Sequence, residues 1–268
     1  MWSRKSSQSM RVSVSALLLL AFAVPGWGED PDPTVRTKTP PDRATVSRIP
    51  RNLGENFLAL FDTNNLWPLV VGSAATGGIT FFDHDIRNGW GIRNGSSTMG
   101  SIGGTAGGAA VMVPAITGLF VLGRCAGDDR FRSFSYALAQ SAILDEGFVE
   151  GLKYAVGRTR PNGSDNRSFP SGHASTAFMF ATVGTEYYGW KAGLLGYSAA
   201  TFIALSRSRE DAHWASDLAG GATIGYLIGS TVSRHTGIAA HVRKIVMTPI
   251  VDLRNREIGI QIRRRGAD

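Results

Sequence analysis

Beyond Arg51, six stretches of twelve or more residues carry no Asp, Glu, Lys or Arg: 63–82, 94–123, 133–144, 168–185, 192–206 and 218–233. Uncharged runs of this length exceed ordinary strands and must be covered by protein or lipid, which predicts helix after helix from Arg51 onward. The expected fold class is therefore all-α. Only the first two runs reach bilayer-spanning length, and the second is diluted by glycine. The others, with 12 to 18 residues, fit the buried helices of a bundle, a membrane bundle of short helices being the alternative. Ile49, Leu53, Phe57, Leu58, Leu60 and Phe61 fall largely on one helical face, with Arg51, Glu55 and Asp62 elsewhere. This amphipathic segment is expected to pad the core, with a membrane surface as its other use. Gly100, Gly104 and Gly108 recur at a spacing of four, as do Gly103 and Gly107, a pattern that lets helix backbones approach closely. With no preceding strand and no G-x-G-x-x-G, it does not read as a nucleotide loop.

The two ends differ from the middle. Arg4, Lys5 and Arg11 precede a 13-residue apolar run, Val12 to Val24, and Gly26 and Gly28 flank Trp27 ahead of Glu29. This is the layout of a secretory signal peptide over 1–28, with an uncleaved anchor as the alternative, and either places the rest of the chain outside the cytoplasm. Residues 29–50 hold five of the eleven prolines and read as a linker to a helical domain over 51–240. In 241–268, Lys244 to Val251 is β-prone and Ile258, Ile260 and Ile262 alternate with polar or small residues, so a C-terminal β-hairpin is expected, turning through Asp252 to Arg256. One cysteine, Cys125, excludes an internal disulfide framework and any multi-cysteine metal site. The formal net charge of +7 falls to +4 without Arg4, Lys5 and Arg11, an ordinary balance that gives no case for a nucleic-acid partner.

The chemistry is concentrated in residues 153 to 217. Lys153 precedes Arg160-Pro161, Pro170-Ser171-Gly172-His173 opens an apolar helix, and Ser206-Arg207 is followed by His213 and Asp217. Arg160 and Arg207 offer planar pairs of donors to phosphate oxygens, and Lys153 adds a compact charge. Backbone N–H groups at Ser171, Gly172 and His173 would point out of a helix start, where the dipole favours an anion. His213 and Asp217, at i and i+4, would share one face of a helix. The carboxylate would then keep one imidazole nitrogen protonated and leave the other as nucleophile or base. His173 would act from the opposite side as a proton donor. Taken singly, each group has a plainer use as a cap, a turn or a surface pair. Arg158, Arg209, Glu210 and Asp211 read as solvated charges or supporting pairs, and Asp83-His84-Asp85 as a polar loop rather than a metal site.

The three clusters resemble the signature of the type 2 phosphatidic acid phosphatase superfamily, which also contains bacterial acid phosphatases and vanadium haloperoxidases. That signature is K-x6-R-P, then P-S-G-H, then S-R-x5-H-x3-D. It is matched by Lys153, Arg160, Pro161, Pro170, Ser171, Gly172, His173, Ser206, Arg207, His213 and Asp217. The resemblance implies a helical bundle of the acid phosphatase and haloperoxidase type, with the site at helix ends on one side. It implies a phosphatase without metal or other cofactor, in which His213 attacks phosphorus, Asp217 orients it and His173 protonates the leaving group. Lys153, Arg160, Ser171, Gly172 and Arg207 would hold the phosphoryl oxygens. Only eight residues separate Pro161 from Pro170, fewer than the family's usual gap, which puts the usual substrate contacts of that loop in doubt. The expected substrate is a lipid phosphate such as phosphatidate or a prenyl diphosphate, met at the periplasmic or envelope membrane face. The alternatives are a soluble periplasmic acid phosphatase, a vanadium haloperoxidase and a non-catalytic phospholipid-binding envelope protein.

Overall fold

The structure, a computed structural model, describes residues 45–89 and 98–236, and the backbone of 244–252 and 257–265. The expected signal peptide, most of the expected Pro-rich linker and the expected turn between the two C-terminal strands lie outside the described residues.

After a 3-10 turn at Val46–Arg48, the helices are α1 (Ile49–Ala59), α2 (Thr63–Thr80), α3 (Asp83–Gly89), α4 (Thr98–Ala106), α5 (Ala109–Cys125), α6 (Asp129–Val156), α7 (Gly172–Tyr188), α8 (Trp190–Arg209) and α9 (Ala215–His235). Local chemistry sets several of these boundaries. Pro50 stands in the first turn of α1, where a missing N–H costs nothing. The Asp128 carboxylate accepts from Arg130 N and opens α6, and Gly157, at φ 59°, closes it in the left-handed conformation that glycine adopts without strain. Strands β1 (Lys244–Asp252) and β2 (Glu257–Arg265) pair antiparallel, with Met247 opposite Ile262 and Val251 opposite Ile258.

Helices α7 and α9 form the centre, with α6 and α8 packed against α7 and α2 against α9. One core cluster joins Phe134, Leu138, Met179, Val183, Tyr187, Ile228 and Val232, and a second joins Ala174, Phe178, Ala200, Ile203 and Leu218. The α7–α9 contact is backbone to backbone. A Cβ on Gly225 would lie 2.1 Å from the carbonyl oxygen of Ser175, and one on Gly221 would lie 2.4 Å from that of Ser171. The close approach expected of the α4 glycines is also present, with α8 as partner: a Cβ on Gly103 would meet Ser206 Oγ at 2.1 Å.

Helix α1 corrects an expectation. Its inward face is polar: Asn56 Nδ2 donates to Gln140 Oε1 at 2.9 Å and Asn52 Nδ2 to Tyr136 Oη at 3.0 Å. Leu58 and, just past the helix, Phe61 face outward, each being 70% exposed, while Ala59 is buried and Leu60 packs against the first core cluster. Two amides on the bundle side find partners on α6 that they would lack facing lipid, so the apolar side is left at the surface. Leu66, Trp67 and Val70 on α2, Val113 and Leu122 on α5, and Leu194 and Leu195 on α8 are exposed as well. Among the described residues, the stretch Thr98–Cys125 is long and apolar enough, by length and composition, to cross a membrane, and 17% of its 18-residue apolar window is buried in the protein.

Candidate active site

The predicted residues come from helix ends and the loops between them. Lys153 is in the last turn of α6, Arg160 in the following loop, Ser171 caps α7 and Arg207 is in the last turn of α8. A cis peptide links Phe169 to Pro170 just before α7. His213 does not lie on a helix with Asp217 as the spacing suggested. It sits in the loop before α9, while Asp217 is the third residue of that helix and its Oδ2 accepts from Trp214 N at 2.8 Å.

This changes how the imidazole is held. Nδ1 of His213 lies 2.7 Å from the carbonyl oxygen of Ser168 and 3.7 Å from Oδ2 of Asp217. A carbonyl oxygen can only accept, so Nδ1 carries the proton and Nε2 presents its lone pair. Arg160 Nη1 stands 3.3 Å from Nε2 and also donates to Ala212 O at 3.0 Å. Burial pushes the imidazole below its ordinary pKa against the opposing pull of Asp217. A neutral ring with a bare Nε2 beside a guanidinium is suited to attack an anion that the guanidinium has drawn in.

Asp217 is fully buried. Burial by itself would raise its pKa, but the interaction with His213, a 2.5 Å hydrogen bond from Ser168 Oγ and the Arg158 charge outweigh it and hold the carboxyl below its usual range. Arg158 Nη1 reaches Asp217 Oδ1 at 2.7 Å.

At the start of α7, two of the three expected backbone donors remain available. Ser171 N already donates to Asp217 O at 3.1 Å, and the Ser171 side chain caps Ala174 N. Gly172 and His173 are the first two residues of the helix, where N–H groups have no acceptor within it. A Cβ on Gly172 would lie 3.5 Å from Lys153 Nζ, so the lysine ammonium stands over the same helix start. Each cation is engaged by a carboxylate: Lys153 by Glu150 at 2.7 Å, Arg160 by Asp165 at 2.7 Å, and Arg207 by Glu210. A dianion brought to this site would compete for those same N–H groups. Glu150 also pairs with Arg167, which lies over the Tyr154 ring.

His173 closes the other side, its Nε2 donating to Gly104 O at 3.0 Å. Burial, then the Arg207 charge, push its pKa down to about 4. It is therefore neutral at neutral pH, and a dianion bound beside it would raise its basicity. The glycines of α4 admit this arrangement, since a Cβ on Gly104 would meet Arg207 Nη1 at 2.4 Å.

Several contributing residues were not singled out by motif. Ser168 holds His213 through a backbone carbonyl, which leaves no sequence signal. Asp83, expected in a polar loop, is instead the first residue of α3 and is 2% exposed. Its salt bridge to Arg158 at 2.7 Å takes Arg158 out of the solvated class and makes it a supporting pair. Asp211 pairs with Arg87 at 2.5 Å. Asp145, buried on α6, accepts from Ser175 Oγ and from Thr176 Oγ1, the latter at 3.0 Å, behind the first turn of α7.

Residues 133–237 match the family model of the PAP2 superfamily. This segment is similar to a PAP2 superfamily domain. It holds every predicted site residue, while α1–α5 and the strands lie outside the match. The lipid A 1-phosphatase of Porphyromonas gingivalis is 40% identical over 106 residues, 37% of this chain and 24% of that protein. The match therefore spans about a quarter of that relative's length. The chain resembles the crystal structure of a transmembrane PAP2-type phosphatidylglycerolphosphate phosphatase from Bacillus subtilis. That likeness has a TM-score of 0.51 at 19% identity, over 66% of this chain and 94% of that one. A likeness to Aquifex aeolicus LpxE has a TM-score of 0.43 at 23% identity, over 50% of this chain and 83% of that one.

Proposed function

We propose that this protein is a phosphatase of lipid phosphates, working through a phosphohistidine at an envelope membrane face. The observation that carries the reading is the His213 imidazole, its Nδ1 proton committed to the Ser168 carbonyl and its Nε2 3.3 Å from Arg160 Nη1. In this mechanism Lys153, Arg160, Arg207 and the N–H groups of Gly172 and His173 exchange their carboxylate and solvent partners for the phosphoryl oxygens. Nε2 of His213 forms a bond to phosphorus as the ester P–O bond breaks, and His173 gives its proton to the departing oxygen. Water then attacks the phosphohistidine, His173 takes up the water proton, and phosphate leaves. The cationic side chains supply the charge stabilisation the transition state needs, so the reaction is expected to be metal-independent.

The lipid reading draws on the exposed apolar side chains of α1, α2, α5 and α8, which a water-soluble surface does not favour. The lipid A 1-phosphatase and phosphatidylglycerolphosphate phosphatase named above point to the same substrate class. The test is phosphate release by the full-length protein, with excess chelator, from lipid A, phosphatidylglycerolphosphate, phosphatidate and a prenyl diphosphate in mixed micelles, against a nitrophenyl ester. Higher kcat/KM on one lipid, vanadate inhibition and co-sedimentation with membranes are expected. Equal efficiency on the small ester, with the protein in the osmotic-shock fluid, would decide for a soluble acid phosphatase.

A further inference from the structure

We propose that Asp83 and Arg158 are positioning residues for the His213–Asp217 pair, Asp83 acting from α3, outside the PAP2 segment. The inference rests on the phosphatase reading of the site. The Arg158 guanidinium forks between two buried carboxylates: Nη2 donates to Asp83 Oδ2 and Nη1 to Asp217 Oδ1, both at 2.7 Å. Ser216 closes the ring, accepting from Arg158 Nη1 at 2.7 Å and donating its hydroxyl to Asp83 Oδ2 at 2.5 Å. Asp83 Oδ1 accepts from Ser216 N at 2.9 Å and so caps, from another helix, the first turn of α9 that carries Asp217. Arg87, one turn along α3, makes a two-point pair with Asp211 at 2.7 and 2.5 Å, and Asp211 stands at φ 56° in the loop leading to His213. The Trp214 indole fills the space between, with Arg158 and Arg87 over its ring and His84 against its edge.

The charge balance gives the arrangement its purpose. A phosphohistidine on Nε2 with Nδ1 protonated is a cationic ring, so a nearby anion at Asp217 favours its formation. Arg158 alone would cancel that anion. Asp83 supplies the second carboxylate, which satisfies Arg158 and leaves the Asp217 charge felt at His213. The imidazole also faces Arg160 and Asp165 from the loop after α6, and His173 from α7; all are retained in the variants below.

The experiment uses the full-length protein with Asp83→Asn, Arg158→Gln and Asp217→Asn, and the pair Asp83→Asn/Asp217→Asn. Turnover is read on the best lipid substrate, and the His213 imidazole is titrated by NMR. Asp83→Asn should lower kcat on the order of 10- to 100-fold with KM little changed, and should cost less in the Asp217→Asn background than in the parent. The His213 titration should move down in Asp83→Asn and up in Arg158→Gln, because one exposes the Arg158 charge and the other removes it. A purely structural role would move both variants the same way. Parental kcat in Asp83→Asn, additive losses, or titrations that shift alike or not at all would overturn the inference. A wild-type protein that releases no phosphate would refute the phosphatase reading instead, and the opposed titration shifts still test the positioning role.

Discussion

The Nδ1 atom of His213 is 2.7 Å from the carbonyl oxygen of Ser168, a full ångström closer than it is to the Asp217 carboxylate. Tautomer control therefore lies with a backbone group that no side-chain substitution removes, and Asp217 acts mainly through its charge and its hold on Trp214 N and Ser168 Oγ. Asp217→Asn should lower kcat by about 10²-fold with the fold retained, short of the ~10⁴ that a wrong tautomer costs. A loss of the full ~10⁴, with an unchanged melting transition, would return tautomer control to Asp217.

In the proposed mechanism, covalent chemistry would divide the two histidines. His213→Ala should leave no phosphoenzyme in quenched reactions with labelled substrate, whereas His173→Ala should still form it, more slowly, with the greatest loss on esters whose leaving groups are poor. Label retained at parental levels in the His213 variant would remove it as nucleophile.

The pH profile follows from the same two rings. In the proposed mechanism His213 must be neutral to attack, and its pKa is lowered by burial, so kcat/KM should hold as pH falls from 7.5 to about 6.5, the ordinary histidine value, and fall only below it. His173 must be protonated in the complex, so kcat should decline on the alkaline side, and that limb should vanish in His173→Ala. An acid limb centred at or above pH 7 would contradict the His213 environment.

Asp145 couples stability to pH with the opposite sign to an ordinary ion-paired carboxylate. Burial raises its pKa to about 7, despite the hydroxyls of Ser175 and Thr176 that bond it. The folded state thus binds more protons than the unfolded chain between about pH 4 and pH 7, and stability falls as pH rises through that window. Asp145→Asn keeps the shape without the charge, so thermal unfolding should flatten across the window, with a gain in Tm at pH 8. An unchanged slope would show that Asp145 is not the titrating group.

Helix packing gives a further prediction. Gly225→Ala would place a methyl group 2.1 Å from the Ser175 carbonyl oxygen, and neither backbone can yield without parting α7 from α9. A loss of about 1–3 kcal/mol or more is expected in denaturant unfolding. Gly54→Ala, where nothing lies within 4 Å of the added Cβ, should be neutral or slightly stabilising.

The helices and the candidate site residues could be picked out in the linear chain because both depend on local patterns. Uncharged runs mark helices, and Lys153, Arg160, Ser171, Gly172, His173, Arg207, His213 and Asp217 stand in short ordered blocks. Gly221, Gly225 and Gly229 also recur at a spacing of four, yet that spacing does not tell which helix it admits. Only the tertiary structure decided which face of α1 turns inward, because the choice depends on Tyr136 and Gln140 on α6 lying where Asn52 and Asn56 need partners. It also decided that Asp83 is buried with Arg158 and that a Ser168 carbonyl holds His213. Those contacts join residues 75 and 45 positions apart. Their strength comes from burial of charge and from backbone acceptors, and neither is written in the identity of any one residue.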